Sequence, residues 1–186
     1  MVKVKNIATV QMGYTFREKL EVDKSGAVSV IQMKDLKDSK VCFENVVKVD
    51  LKKIKDLHFV KKYDLVFRSR GLSTTASILL EKPGRVIVAS PLLRIRVSDV
   101  KVVMPEYLCW YINHKAQSYL HSRADGTLQR MINKQVLDDL LIVFPTMKKQ
   151  KQIVDIYNLA MRERNLRNQL AEKRQQYIDA VINAQF

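Results

Sequence analysis

Residues 148–183 contain neither glycine nor proline, the two residues that most readily break a helix. At about 1.5 Å per residue such a stretch makes a helix of about 54 Å. Along it, Ile156, Leu159, Glu163, Leu166, Leu170, Lys173, Tyr177, Ala180 and Ala184 follow alternating steps of three and four. Seven of these nine are apolar, so the stripe has the spacing of a coiled-coil seam with two polar interruptions. A helix this long cannot bury its whole stripe against one small domain. The spacing therefore predicts a second long helix, from another copy or a partner, opposite Ile156, Leu159, Leu166, Leu170 and Tyr177. The alternative is a helix folded back on its own domain.

The 186-residue chain carries 33 Lys and Arg against 19 Asp and Glu, a net charge of +14, which points to an acidic polymer as partner. Residues 1–145 hold 25 basic and 15 acidic side chains, and residues 146–186 hold 8 and 4. The charge is thus spread through folded segments, as in a domain lying along a phosphate backbone. Apolar residues make up 47%, which excludes disorder. No apolar run approaches the ~18 residues of a membrane helix, and the N-terminus has no apolar signal core; a soluble, cytoplasmic protein without a membrane partner is expected. Cys42 and Cys109 make neither a disulfide framework nor, alone, a four-ligand zinc site.

Residues 1–145 read as mixed α and β, giving an α+β chain of a globular domain (1–145) followed by a long coiled-coil-forming helix (146–186). Strands are predicted at Val28–Met33, Tyr63–Arg68, Ala76–Leu80, Arg85–Ala89 and Leu92–Val97, with Lys40–Val49 extended. In Leu92–Val97, Leu93, Ile95 and Val97 alternate with Arg94 and Arg96, which predicts a half-buried strand with one basic face. Pro105 opens a helix running to Leu120, with Glu106 at its positive end. Asn133 is placed to cap a short helix over Lys134–Leu140.

Familiar catalytic signatures are missing. There is no Gly-x-x-x-x-Gly-Lys or Gly-x-Gly-x-x-Gly loop and no Gly-x-Ser-x-Gly elbow. All four prolines are isolated, so an Asn/Asp-Pro-Pro-aromatic methyltransferase run is absent. Asp-x-Lys occurs at Asp35, Asp38, Asp50 and Asp99, but a nuclease metal site needs two or more convergent acids, and in a lysine-rich chain the pattern alone says little. His58, His114 and His121 are the only histidines, too few and too scattered for a metal set. No catalytic residue, cofactor or metal is therefore expected.

The basic polar loops are more informative. Arg68-Ser-Arg-Gly-Leu-Ser-Thr-Thr75 joins two arginines, four hydroxyls and a glycine between strands. Arginine forks guanine O6 and N7, and hydroxyls suit phosphates; the plain alternative is a turn bonding its own backbone. In an extended segment Arg68 and Arg70 continue the phase of Val66. If that side is buried, Arg68 is structural and contact passes to Arg70 and the hydroxyls beyond Gly71. A second loop, Arg123 to Lys134, ends at a helix start able to hold a phosphate.

The order of motifs adds to this. Gln11-Met-Gly-Tyr-Thr-Phe-Arg17, Ile31-Gln-Met-Lys-Asp-Leu36, Lys62-Tyr-Asp-Leu-Val-Phe-Arg-Ser-Arg-Gly71, Ala89-Ser-Pro91, Pro105-Glu-Tyr-Leu-Cys-Trp110, Gly126-Thr-Leu-Gln-Arg-Met-Ile132, Leu140-Leu-Ile-Val-Phe-Pro145 and Gln150-Lys-Gln-Ile153 precede the long helix in turn. Together they resemble one target recognition domain plus one conserved helix of the specificity subunit of type I restriction–modification systems. The resemblance implies a subunit that reads double-stranded DNA without cutting or methylating it and docks methyltransferase (modification) subunits and a restriction/translocase subunit. Usual members carry two recognition domains separated by two antiparallel helices; this chain has one of each, so pairing two copies through the long helix restores the layout. The implied DNA contacts are Arg70, Arg68, Ser69, Ser73 and Thr74, with Lys34, Arg17, Arg130 and Lys134 in the flanking motifs. A protein-interaction adaptor with an incidental basic face is the competing reading. An RNA-binding module is a weaker one, because aromatics are only 8% and such modules stack bases on them.

Overall fold

The computed structural model describes residues 1–16, 23, 25–51, 54–71, 74–124 and 131–184. Its largest sheet orders β2 (Ala8–Met12), β10 (Leu93–Val97), β7 (Leu65–Phe67), β8 (Ala76–Ile78), β5 (Lys40–Val41) and β4 (Leu36–Lys37), with β1 being Val2–Lys3. Within it β10 runs antiparallel to both neighbours, and β5 and β8 pair in parallel. A second sheet sets β3 (Val28–Ile31) between β6 (Val47–Val49) and β9 (Val86–Val88). A third pairs β1 with β11 (Leu141–Ile142). The α-helices described are α1 (Pro105–His114), α2 (Gln117–Ser122), α3 (Lys134–Asp138) and α4 (Met147–Asn183).

The main core lies between the large sheet and α1–α3. Leu65, Phe67, Ile95, Leu108, Ile112, Leu120, Ile132 and Leu137 are all fully buried there. Burying such side chains gives roughly 1.5–3 kcal/mol each. Of two smaller clusters, one around Ile31, Leu79 and Leu92 joins the second sheet to Leu36 and Val66 of the large one, and the other surrounds Val28, Val30 and Ile87. Gly13 lets the chain cross closely: an added Cβ would sit 2.7 Å from the Ala89 carbonyl carbon.

Several sequence expectations need correcting, each for a local reason. The strand begun at Val28 stops at Ile31 because Asp35 accepts from the Gln32 amide at 2.8 Å and caps a 3-10 turn, Met33–Asp35. The extended segment Lys40–Val49 is interrupted between Val41 and Val47. The helix opened by Pro105 ends at His114 rather than Leu120. There the Ala116 amide turns to Tyr111, and the Gln117 side chain takes the Ile112 carbonyl at 2.8 Å. The cap by Asn133 is present, its side chain accepting from Val136 N at 3.0 Å, but α3 stops at Asp138.

The largest correction concerns β10, which has no basic face. Arg94 is only 7% exposed. Its Nη1 donates to Leu57 O at 2.9 Å and its Nη2 to Gln11 Oε1 at 2.7 Å. Arg96 forks buried Asp64, Nε to Oδ1 at 2.7 Å and Nη2 to Oδ2 at 2.6 Å. Asp64 also accepts from the Lys61 amide at 2.7 Å. The segment 56–64 thus lies over this side of the strand, and both arginines hold it in place.

The start of α4 is fastened to the body by Gln150, which is fully buried. Its Nε2 donates to Val102 O and Pro145 O, both at 3.0 Å, and its Oε1 accepts from Met104 N at 2.9 Å. Val154 is buried beside it, and Tyr157 meets the His114 ring edge-on at 5.0 Å. Beyond this the helix leaves the body.

Candidate nucleic-acid interface

Three segments far apart in sequence meet around Arg68–Arg70. The Arg68 amide donates to Thr75 O at 2.8 Å, closing the base of the loop that follows β7. The Arg68 guanidinium reaches back to the 3-10 turn, with Nη2 donating to Met33 O at 2.9 Å and Leu36 O at 3.3 Å. On the other side Ser69 O accepts from Ile132 N at 2.8 Å, and Arg70 bridges to Met131. The turn bearing Lys34, the loop bearing Arg70 and the start of α3 bearing Lys134 are thereby held next to one another. Gly71 then turns at φ +109°, a conformation that side-chain-bearing residues rarely adopt.

The residues expected at this site divide sharply. Arg70 is exposed, and its hydrogen bond among the described residues is Nε to Met131 Sδ at 3.4 Å. Thioether sulfur is a weak acceptor, so the planar fork of Arg70 remains available. Lys34 is exposed, with Nζ 3.5 Å from Asn45 O. Lys134 is exposed and pairs with Asp138 one turn on at 2.5 Å. Arg68 is half-buried and bonded inward, as the Val66 phase argued, since Val66 itself is fully buried. Ser69 and Thr74 are turned into the domain: both are buried, and the Ser69 hydroxyl donates to Pro91 O. Ser69 pins the loop through this bond, while the Thr74 hydroxyl is buried without a hydrogen-bond partner among the described residues. Arg17, Ser73 and Arg130 lie outside the described residues.

Two features were invisible from sequence. Met131 meets Arg70, a contact that the motif Gly126–Ile132 containing it does not reveal. The Asp64–Arg96 fork needed a pairing across 32 positions that spacing does not reveal.

Burial also shifts Cys109, His114 and His58. Burial pushes the Cys109 thiol up to about 12, which keeps it protonated and unreactive. Burial also lowers the pKa of His114 and, with Arg94 and Lys55 nearby, that of His58, favouring the neutral rings. Among the described residues no three His, Cys, Asp or Glu side chains converge as a metal site, and no helix is long and apolar enough to cross a membrane.

The stripe on α4 lies in solvent. Ile156 is 68% exposed, Leu159 66%, Leu166 56%, Leu170 53% and Tyr177 71%.

Comparison with known proteins gives a consistent picture. A family model for the type I restriction modification DNA specificity domain matches residues 1–172. The S subunit of the type I restriction–modification system from M. genitalium is similar in structure over 85% of this chain and 37% of its own, with 12% identity and a TM-score of 0.57. The HsdS subunit from Thermoanaerobacter tengcongensis is similar over 87% of this chain and 37% of its own, with 14% identity and a TM-score of 0.62. A chain from a structure of type I R-M complex assembly and conformational transition covers 87% of this chain and 38% of its own, with 16% identity and a TM-score of 0.66. These likenesses establish the fold, and this chain spans 37–38% of the length of the structures it matches. No curated protein sequence matches it at a significant level.

Proposed function

The chain belongs to the type I restriction–modification DNA specificity domain family, and we propose that it is the sequence-reading component of such a complex. In this reading it has no chemistry of its own. It carries partner methyltransferase and restriction/translocase subunits to a bipartite double-stranded DNA target. The observation that carries the reading is the exposed basic edge where Lys34, Arg70 and Lys134 come from three converging segments. The net charge of the body supplies salt-dependent affinity for any DNA, and Arg70 is the base reader among the described residues. Lys34 and Lys134 take phosphates, Arg68 positions the edge, and Ser69 and Thr74 support the loop from within. Arg17, Ser73 and Arg130 complete the contact set on the sequence argument alone.

The second half of the reading concerns α4. Its exposed stripe pairs with the stripe of another copy, so that two identical readers stand at a fixed separation. Twofold pairing makes the target an interrupted palindrome. The gap between half-sites follows helix length.

A salt titration of binding to random DNA tests the first half. The expected result is affinity falling steeply with salt, with a slope of about −0.9 per phosphate contacted. A protein-interaction adaptor would bind DNA no better than other +14 proteins of its size and would enrich no sequence from a random pool. That outcome would replace the proposal with the adaptor reading.

A further inference from the structure

The outer edge of β8 goes on being hydrogen-bonded past the end of the strand beside it. In an antiparallel pair, alternate residues turn their N–H and C=O toward the partner strand, and the others turn away from it. Ala76 lies opposite Phe67 of β7, and the Arg68 amide donates to Thr75 O at 2.8 Å. Thr75 therefore faces β7, while Thr74, Ala76 and Ile78 face outward. On that side β5 pairs at Ile78, whose amide donates to Ser39 O at 2.9 Å. At Ala76 a single side chain takes the place of a strand. Asn113 Oδ1 accepts from the Ala76 amide at 2.7 Å, and Asn113 Nδ2 donates to Ala76 O at 2.8 Å. One step further into the loop, Gln117 Nε2 donates to Thr74 O at 3.1 Å. The ladder along Ile78, Ala76 and Thr74 is thus carried by β5, then by Asn113, then by Gln117.

We propose that Asn113 and Gln117 are positioning residues for base reading, acting on Arg70 through the return limb of its loop. The proposal rests on the reading of Arg70 given above and adds what holds that residue in place. Thr75 lies between the two fastened residues, and its carbonyl takes the amide of Arg68, two positions before Arg70. A shift of the limb at Thr74 or Ala76 therefore shifts the base of the Arg70 loop. Closing the sheet would need no bond beyond Ala76, the first residue of β8. Gln117 reaches past it to Thr74, inside the loop itself.

Both amides are fixed in direction. Gln117 Nε2 meets two carbonyls, Thr74 O and, at 2.8 Å, Ile112 O, so only the donor end fits there. Asn113 presents its carbonyl to an N–H and its NH2 to a carbonyl, and the same NH2 reaches Ser39 Oγ at 3.0 Å. Both residues also stand on packed supports. Asn113 belongs to α1, whose Leu108 and Ile112 are fully buried, and Gln117 opens α2, whose Leu120 is equally buried. A reading group is held to productive geometry by side chains that are themselves locked by packing and hydrogen bonds.

The test compares binding of the full chain to its selected sequence, to the same duplex changed at one base pair, and to random DNA. Arg70→Ala identifies the base pair to change. Gln117→Met keeps the length of the side chain and removes the donor. It should lower discrimination at that base pair about 5- to 10-fold and leave affinity for random DNA within ~2-fold of wild type. Gln117→Lys restores a donor and should recover discrimination to within ~3-fold of wild type. Asn113→Asp keeps the acceptor for the Ala76 amide, loses the donor, and should relax the same base pair. In Arg70→Ala/Gln117→Met, discrimination should match that of Arg70→Ala alone, because Gln117 acts through Arg70. Undiminished discrimination in Gln117→Met and Asn113→Asp, or losses that multiply in the double variant, would overturn the proposal. So would an equal loss on selected and random DNA, which marks a residue that merely supports the fold. A wild type that selects no sequence from a random pool would instead remove the base-reading role of Arg70, and the positioning role with it.

Discussion

In the body, Leu65, Leu108 and Leu120 are fully buried, and Arg94 and Arg96 are tied to backbone carbonyls, Gln11 and Asp64. In α4, Leu159, Leu166 and Leu170 stand in solvent, and Arg167 does no more than pair with Glu163 on the surface. The same two residue types therefore do opposite work in the two regions. A leucine in the body holds the fold together, whereas a leucine on the helix covers nothing within its own chain. An arginine in the β10 layer is scaffold, whereas Arg70, beyond the end of β7, has an exposed fork. Charge and apolar content assign a function only once it is known which side of an element is covered.

The sharpest way to break this comparison is to remove the acid beneath Arg96. Asp64→Ala leaves a partly covered guanidinium without its fork and the Lys61 amide without its acceptor. Urea denaturation should show a loss of about 3–5 kcal/mol. A loss under about 1 kcal/mol would show that the β10 arginines are not structural.

An identical substitution in both regions sharpens it further. Leu108→Ala removes buried core and should cost about 2–5 kcal/mol in the same measurement. Leu166→Ala should change the stability of the body by no more than about 0.5 kcal/mol while weakening self-association. Equal losses would mean that α4 folds back against the body in solution.

Between the arginines the contrast is one of DNA binding at constant stability. Arg70→Ala should leave the melting curve unchanged and cost about 1–3 kcal/mol on the preferred sequence, relaxing one base position. Lys134→Ala gives the smallest effect. It should weaken preferred and random DNA alike and flatten the salt slope by about one unit. Arg70→Ala acting equally on every sequence would make Arg70 a backbone contact.

What could be read from the sequence follows the range of the interactions involved. The long helix was legible because its evidence is local: no glycine or proline, and a period that repeats for nine positions. The strands around Leu65 and Val86 were legible as short apolar runs, and the one around Leu93 as apolar residues in alternation with Arg94 and Arg96. β2 was overlooked, since Ala8 and Val10 give too short an alternation to stand out. The direction of Arg94 and Arg96 was misread because it depends on segment 56–64 covering the strand, a contact across more than thirty positions. Ser69 and Thr74 looked like solvent hydroxyls in a polar run. Hydrogen bonding to Pro91 and Ile132 holds Ser69 in place, and neither partner is near it in sequence. Ranking Arg70 above Arg68 depended only on strand phase, which is local and which the positions of both side chains follow.

If reading and pairing belong to different regions, sequence selection from a random DNA pool separates them. Wild type and Leu170→Asp would be selected side by side as full chains. Wild type should enrich two inverted copies of one short motif separated by a fixed gap, and Leu170→Asp should enrich the same motif alone, with its bases unchanged. Enrichment of the same two-part target by both proteins, or of different bases by the variant, would contradict the division between the two regions.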